Sequence, residues 1–196
     1  MIHRFLANST VYELVQTLTG SRISEAKMWA ALGALPPGTR ILDAGGGTGI
    51  LARMFDSGQL YLCLDIDLAQ VRFAKNRGAD ALVGDAARMP ISSGAIDLVV
   101  MRAVSHHLTD QAFAMMIDES CRVLKPGGRL LFLDAIWARS WVPGRLLWRI
   151  DQGTHPRTED QMAKVLESHF ELERRMTYAV HHRYFLALAR PKSNTA

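Results

Sequence analysis

The sequence predicts a doubly wound, mostly parallel α/β sheet from three observations. Short apolar runs recur from residue 40 onward: RILDA (40–44), LYLCLD (60–65), ALVG (81–84), AIDLVVM (95–101) and RLLFLDA (129–135). Runs apolar almost throughout must be covered on both faces. Helical segments separate several of them, which implies parallel strands joined by right-handed crossovers. The chain of 196 residues, 48% hydrophobic and 21% charged, is long enough to bury such a core as a single domain.

The elements follow in order. Val11, Leu14, Val15 and Leu18 share one helical face, and Gly20 ends that pattern. Ser24 is placed to cap a second helix carrying Met28, Ala31, Leu32 and Leu35 before Pro36-Pro37-Gly38 breaks the chain. These segments make residues 1–38 an N-terminal helical cap. Residues 39–135 form the core. Its helices are expected at 48–56, 68–77 (closed by Gly78) and 110–124, and Pro126-Gly127-Gly128 turns the chain into the fifth strand. Residues 136–157 break the rhythm, with Trp137, Trp141 and Trp148 among arginines, and read as an insertion. Residues 158–196 hold the capping-box sequence Thr158-Glu159-Asp160-Gln161, a helix, and strands near 172–180 and 183–190. Only His181-His182 joins those strands, too little for a crossover, so they must form an antiparallel hairpin.

Composition removes several classes of function. Cys63 and Cys121 are too few for a disulfide framework or a cysteine-based zinc site, and no metal site is expected. A cytoplasmic location follows as the default expectation. No apolar run approaches the roughly 20 residues of a membrane span. The net charge is +4: residues 1–138 carry 13 basic and 13 acidic side chains, residues 139–196 carry 10 and 6. The excess suits an anionic substrate, a lipid surface, a nucleic acid or an ordinary solvated face.

Asp43-Ala44-Gly45-Gly46-Gly47-Thr48-Gly49 ends the first strand and opens a helix. Glycines there let the backbone turn tightly and approach a ligand beyond the carboxyl ends of the strands. Asp65 ends the second strand, where a carboxylate can take both hydroxyls of a ribose, while Asp67 is the better cap for the next helix. Asp85 ends the third and can accept from an adenine amino group. A dinucleotide pattern of G-x-G-x-x-G fails, because position 50 is Ile50.

ILDAGGGTG, LCLDID, GDAARMP, IDLVVMRAVSHHL and RVLKPGGRLLFLD together resemble the successive motifs of class I S-adenosylmethionine-dependent methyltransferases, closest to the small-molecule type 11-like group. That resemblance implies a seven-stranded Rossmann-like sheet whose last strand is antiparallel. It implies S-adenosyl-L-methionine as cofactor, with Gly45, Gly46, Gly47 and Gly49 around the methionine part and Asp43 anchoring the loop. Asp65 would hold the ribose and Asp85 the adenine, with Ile66, Ala86 and Met89 around the ring. No Asn/Asp-Pro-Pro-Tyr/Phe motif follows strand four, which argues against methylation of nucleobase amines.

On the acceptor side, His106 and His107 follow strand four and are the candidate general bases, His106 first; either can equally pack the loop. Arg102 can pair with a cofactor carboxylate or an acidic neighbour, and Asp134 can contact substrate or cap a helix. Trp137, Trp141 and Trp148 can wall an apolar pocket or pack on the core, with Tyr12 as a lid residue. The arginines among them also permit transient contact with a membrane surface. The expected activity is methyl transfer to a small-molecule acceptor through oxygen, nitrogen or carbon. RNA methylation and a non-catalytic cofactor-binding subunit are the alternatives, with nucleic acid the less favoured partner. The oligomeric state is not legible.

Overall fold

In a computed structural model the described residues are 21–138 and 155–193. They form one seven-stranded sheet, ordered β3-β2-β1-β4-β5-β7-β6. The chain runs α1 (Ser21–Leu32), β1 (Arg40–Ala44), β2 (Leu60–Asp65), α2 (Leu68–Asn76), β3 (Asp80–Val83), β4 (Ile96–Arg102), α3 (Asp110–Val123), β5 (Leu124–Ile136), α4 (Glu159–Leu166), β6 (Phe170–Ala179) and β7 (Arg183–Pro191). The first five strands pair in parallel. β7 is antiparallel to both β5 and β6, as the short His181-His182 connection requires.

Alternate side chains of the central strands enter two cores. Val99, Met101, Leu130, Phe132 and Phe185 meet Phe113, Met116 and Ile117 of α3 and Met162 and Leu166 of α4. Leu98, Val100, Leu131, Leu133 and Leu186 meet Met28, Ala31 and Leu32 of α1 on the other face. Asp67 caps α2 by accepting from Ala69 N at 2.7 Å. The expected capping box opens α4, with Thr158 Oγ1 accepting from Gln161 N and Gln161 Oε1 from Thr158 N.

Three local expectations are corrected. The helix expected over 48–56 shrinks to a 3₁₀ segment, Ile50–Met54, because Gly49 sits left-handed with φ 67° and delays the helical start. α1 is already helical at Ser21, so Ser24 lies inside it, buried, and its Oγ accepts from the Tyr178 hydroxyl at 2.9 Å. The Pro126-Gly127-Gly128 turn interrupts β5 rather than preceding it. Leu124 pairs with Ile96 but Arg129 with Leu98, so residues 125–128 bulge opposite Asp97.

Candidate active site

The glycine loop is built by backbone geometry. Gly45, Gly47 and Gly49 have φ of 74°, 54° and 67°, a region costly for any residue with a Cβ. Gly45 is also pressed against β4's exit: a Cβ on it would lie 2.4 Å from Val104 Cγ2. Beside Gly47 the opposite holds, since a Cβ there would meet nothing within 4 Å. The loop's amides are accounted for. Gly45 N and Gly46 N donate to Leu64 O at 2.8 and 3.1 Å, and Gly47 N donates to Asp65 Oδ2 at 2.8 Å. Asp65 Oδ1 accepts from Asp67 N at 2.9 Å. Asp65 thus ties the end of β2 to the loop while remaining partly exposed.

Asp43 lies beneath the loop, 1% exposed. Tyr61 donates its hydroxyl to Asp43 Oδ2 at 2.5 Å. Burial pushes the Asp43 carboxyl from 3.8 up to about 6, against the pull of that hydrogen bond and of Arg102. Burial and the neighbouring Asp43 push the Tyr61 phenol upward, so it stays a donor. Burial likewise pushes the Cys63 thiol up to about 12, and it faces Gly47 O at 3.6 Å as a neutral group. Tyr61 was not a sequence candidate. Its signal lies in the register that pairs Asp43 with Cys63, two residues along the same strand.

At the ends of β2 and β3, Ile66 is 72% exposed and Asp85 is exposed, with its Oδ1 accepting from Ala87 N at 2.8 Å. Ala86 is half-buried and Met89 buried. Met89 N donates to Glu119 Oε2 at 2.7 Å, and Arg122 donates to Met89 O and Ile91 O at 3.0 and 2.8 Å. This Glu119–Arg122 pair of α3, spaced i,i+3, holds the connection that follows β3 and was missed from sequence. Arg102 lies 3.6 Å from Glu25 of α1, whose same oxygen binds Arg53 at 2.6 Å.

Beyond β4 the chain turns through Ala103, which has φ 53°, into a 3₁₀ segment, Ser105–His107. His106 Nδ1 lies 2.6 Å from Asp134 Oδ1 at the end of β5. Asp134 is fully buried and accepts three further bonds: Ser105 N (2.7 Å) and Ser105 Oγ (2.6 Å) on Oδ2, and Ala135 N (2.7 Å) on Oδ1. Burial would raise this carboxyl, but the His106 and Ser105 contacts outweigh it and hold the group below the usual carboxylate range. Asp134 thus takes the first amide of the 3₁₀ segment from the neighbouring strand end. His107 is exposed, its ring centroid 4.1 Å from that of His106.

Residues 42–132 match the family model described as "Methyltransferase domain". Over those residues the chain is similar to methyltransferases. The chain is 34% identical over 132 residues to the malonyl-[acyl-carrier protein] O-methyltransferase of Methylococcus capsulatus, covering 61% of this chain and 46% of that protein. It is 31% identical over 156 residues to a ubiquinone/menaquinone biosynthesis C-methyltransferase of Paraburkholderia phytofirmans, covering 73% and 61%. A tRNA (carboxymethyluridine(34)-5-O)-methyltransferase of Arabidopsis thaliana is 36% identical over 113 residues, covering 57% and 27%. The chain thus spans about half or less of the length of most of these curated relatives. Among solved structures, a Haloferax volcanii methyltransferase in complex with an activator aligns with TM-score 0.79 at 13% identity over 100% of both chains. Geranyl diphosphate C-methyltransferase of Streptomyces coelicolor aligns with TM-score 0.72 at 16% identity, covering 88% and 81%. Both share the fold.

Other segments meet the matched region around His106. Trp137, 36% exposed, donates its backbone N–H to Arg157 O at 2.7 Å, and His155 N donates to His106 O at 3.0 Å. Arg157 is buried, donating to Ser105 O (2.7 Å), Leu108 O (2.7 Å) and Asp110 Oδ1 (2.7 Å). The β6–β7 hairpin tip reaches the same sheet edge, because Tyr184 pairs with Ala135. There Tyr184 stacks on Tyr178 with centroids 5.4 Å apart, and its hydroxyl lies 2.6 Å from His181 Nε2. This hairpin cluster is an addition to the sequence reading. Tyr12, Trp141 and Trp148 lie outside the described residues. Among the described residues, no group of three or more His, Cys, Asp or Glu is placed to hold a metal ion, and no helix is long and apolar enough to cross a membrane.

Proposed function

We propose that the chain binds S-adenosyl-L-methionine and transfers its methyl group to a small-molecule acceptor. The observation carrying this reading is a line of groups along one sheet edge: the loop with open space beside Gly47, then Asp65, Asp85, Arg102 and His106. The left-handed glycines and the clear space at Gly47 fit a ligand laid against backbone. Gly45, Gly46, Gly47 and Gly49 would border the methionine part, with Asp43 beneath them. Asp65 would take the ribose hydroxyls, Asp85 the adenine amino group, and Ile66, Ala86 and Met89 the ring faces. Arg102 would pair with the cofactor carboxylate. The cofactor supplies a methyl group activated by a positive sulfur. The chain's own work is to align the acceptor, exclude water and accept a proton at His106, with His107 as its neighbour. Trp137 borders the acceptor side.

Relatives named for ubiquinone/menaquinone biosynthesis and for malonyl-[acyl-carrier protein] support the small-molecule reading, and the tRNA methyltransferase relatives support RNA as the alternative. Against a polyanionic partner, many cations pair internally: Arg53 with Glu25, Lys125 with Asp97, Arg175 with Glu159 and Arg190 with Glu171. A cytoplasmic site of action belongs to the same proposal. The test combines calorimetric titration of S-adenosylhomocysteine with a screen using isotope-labelled methyl donor. Label entering a small-molecule extract is the expected result. Label entering only RNA selects the alternative, and cofactor binding without transfer to any pool selects a non-catalytic subunit.

A further inference from the structure

The strand order reverses between β1 and β4, and a ligand crevice opens at that point beyond the carboxyl ends of the strands. Arg102 ends β4 there, on the face that carries Leu98 and Val100. That face packs under α1, whose inner side runs through Glu25, Met28 and Leu32 at helical spacing. α1 is pinned at this end: Ser24 Oγ accepts from the Tyr178 hydroxyl, and Lys27 Nζ lies 4.9 Å over the Tyr178 ring. Glu25 Oε1 accepts from Arg53 Nη2 at 2.6 Å, in the 3₁₀ segment that follows the glycine loop. The Arg102 guanidinium stops 3.6 Å from the same oxygen, too far for a hydrogen bond. Arg102 and Glu25 are largely withdrawn from water, their side chains 12% and 15% exposed. Among the described residues, the Arg102 guanidinium makes no hydrogen bond and Glu25 Oε2 accepts none. Charges drawn from water in this way cost free energy until they are paired. Asp43 also lies close enough to Arg102 to feel its charge, but it is 1% exposed beneath the loop and is taken by Tyr61.

Resting on the methyl-transfer reading above, we propose that Glu25 determines specificity for the cofactor: its carboxylate reads the α-ammonium of the methionine part, next to the carboxylate that Arg102 takes. The two charges of an α-amino acid sit on one carbon. A ligand that brings an anion to Arg102 therefore brings a cation to the neighbouring Glu25. In the chain alone, two guanidiniums share the single carboxylate of Glu25. The cofactor's carboxylate supplies the second anion, and its ammonium supplies the donor that Glu25 Oε2 lacks. Each contact is then a charge-assisted hydrogen bond, the stronger kind. A nucleoside that ends in a plain thioether offers neither charge and leaves both side chains as they stand. α1 thereby contributes a residue to the cofactor site as well as covering the sheet.

Calorimetric titration tests this without any methyl transfer. The probes are S-adenosylhomocysteine, its deamino analogue, its decarboxylated analogue and 5′-methylthioadenosine. None carries a sulfonium, so their differences report the amino-acid end alone. Wild-type protein should bind S-adenosylhomocysteine about 10- to 100-fold more tightly than the deamino analogue, the scale of a hydrogen bond to a charged group. Glu25→Gln should erase that preference while binding the deamino analogue as wild type does, which also shows the variant to be folded. Arg102→Gln should weaken S-adenosylhomocysteine and the deamino analogue together and spare the decarboxylated one. Arg53→Gln removes the 2.6 Å ion pair and should keep the preference. Equal wild-type affinity for S-adenosylhomocysteine and its deamino analogue overturns the proposal, and decides it even where Glu25→Gln does not fold. A folded Glu25→Gln variant that keeps the preference also overturns it. So does an Arg53→Gln variant that loses the preference, since Glu25 then only fastens α1 to the 3₁₀ segment. A wild-type protein that binds none of these probes overturns the methyl-transfer reading itself, and the proposal with it.

Discussion

Asp43→Asn separates the electrostatic cost of the glycine loop from its packing. The Asp43 carboxyl rises from 3.8 to about 6 in the folded chain, with burial the largest cause. At about 1.4 kcal/mol per tenfold change in proton affinity, ionising it in place costs about 3 kcal/mol of stability. The folded state holds the proton more tightly than the unfolded state. Its contribution is therefore fully present below 3.8 and is lost as pH rises through about 6. Asparagine keeps an acceptor for Tyr61 and carries no charge, so it should not show this loss. Urea denaturation of both proteins at pH 5 and pH 8 supplies the assay. The stability of the variant relative to wild type should improve by roughly 1 kcal/mol between those pH values, from the same linkage. Taking the difference cancels the packing effect of asparagine and the titration of every other carboxylate. An equal gap at pH 5 and pH 8 would refute the reasoning, because it would mean that Asp43 titrates alike in folded and unfolded chains.

Other substitutions probe the remaining parts. Asp65→Ala should weaken S-adenosylhomocysteine binding by about 1.5–3 kcal/mol, the scale of hydrogen bonds to a charged group; calorimetric titration of a folded variant with unchanged affinity would place the ribose elsewhere. Gly45→Ala brings a Cβ to 2.4 Å from Val104 Cγ2 at a φ of 74°. It should lower stability by about 2–3 kcal/mol in denaturant melts, with Val104→Ala recovering only the steric share. Arg157→Ala strands the carbonyls of Ser105 and Leu108 and should cost about 2–4 kcal/mol. Faster amide exchange around His106, with cofactor affinity retained, is the accompanying readout.

What was legible in the sequence was what local chemistry decides. Alternating apolar runs gave the parallel strands, the Thr158–Gln161 spacing gave a capping box, and a connection as short as His181-His182 left only a hairpin. The glycine run and Asp65 were readable because backbone freedom and a strand-end carboxylate are properties of the residues themselves. The 3₁₀ segment at 50–54 was not, because the left-handed turn at Gly49 overrides a helical pattern. Contacts across the sheet were harder still. Asp134 meets His106 across 28 positions only because β4 and β5 pair with Arg102 beside Leu133. Glu25 reaches Arg53 and Arg102 only once α1 has packed on its face of the sheet, and nothing around Glu25 in the sequence announces that placement.

The backbone bond from Trp137 N to Arg157 O, 2.7 Å long, joins two points well apart in the chain right beside His106. The described residues on either side of 139–154 are thereby held together at one fixed point of the sheet edge. Closing such a loop depends only weakly on its length, each doubling adding about 0.6 kcal/mol. Because that closure is set by Trp137 and Arg157 themselves, the two flanks should keep their register when the number of residues between them is changed.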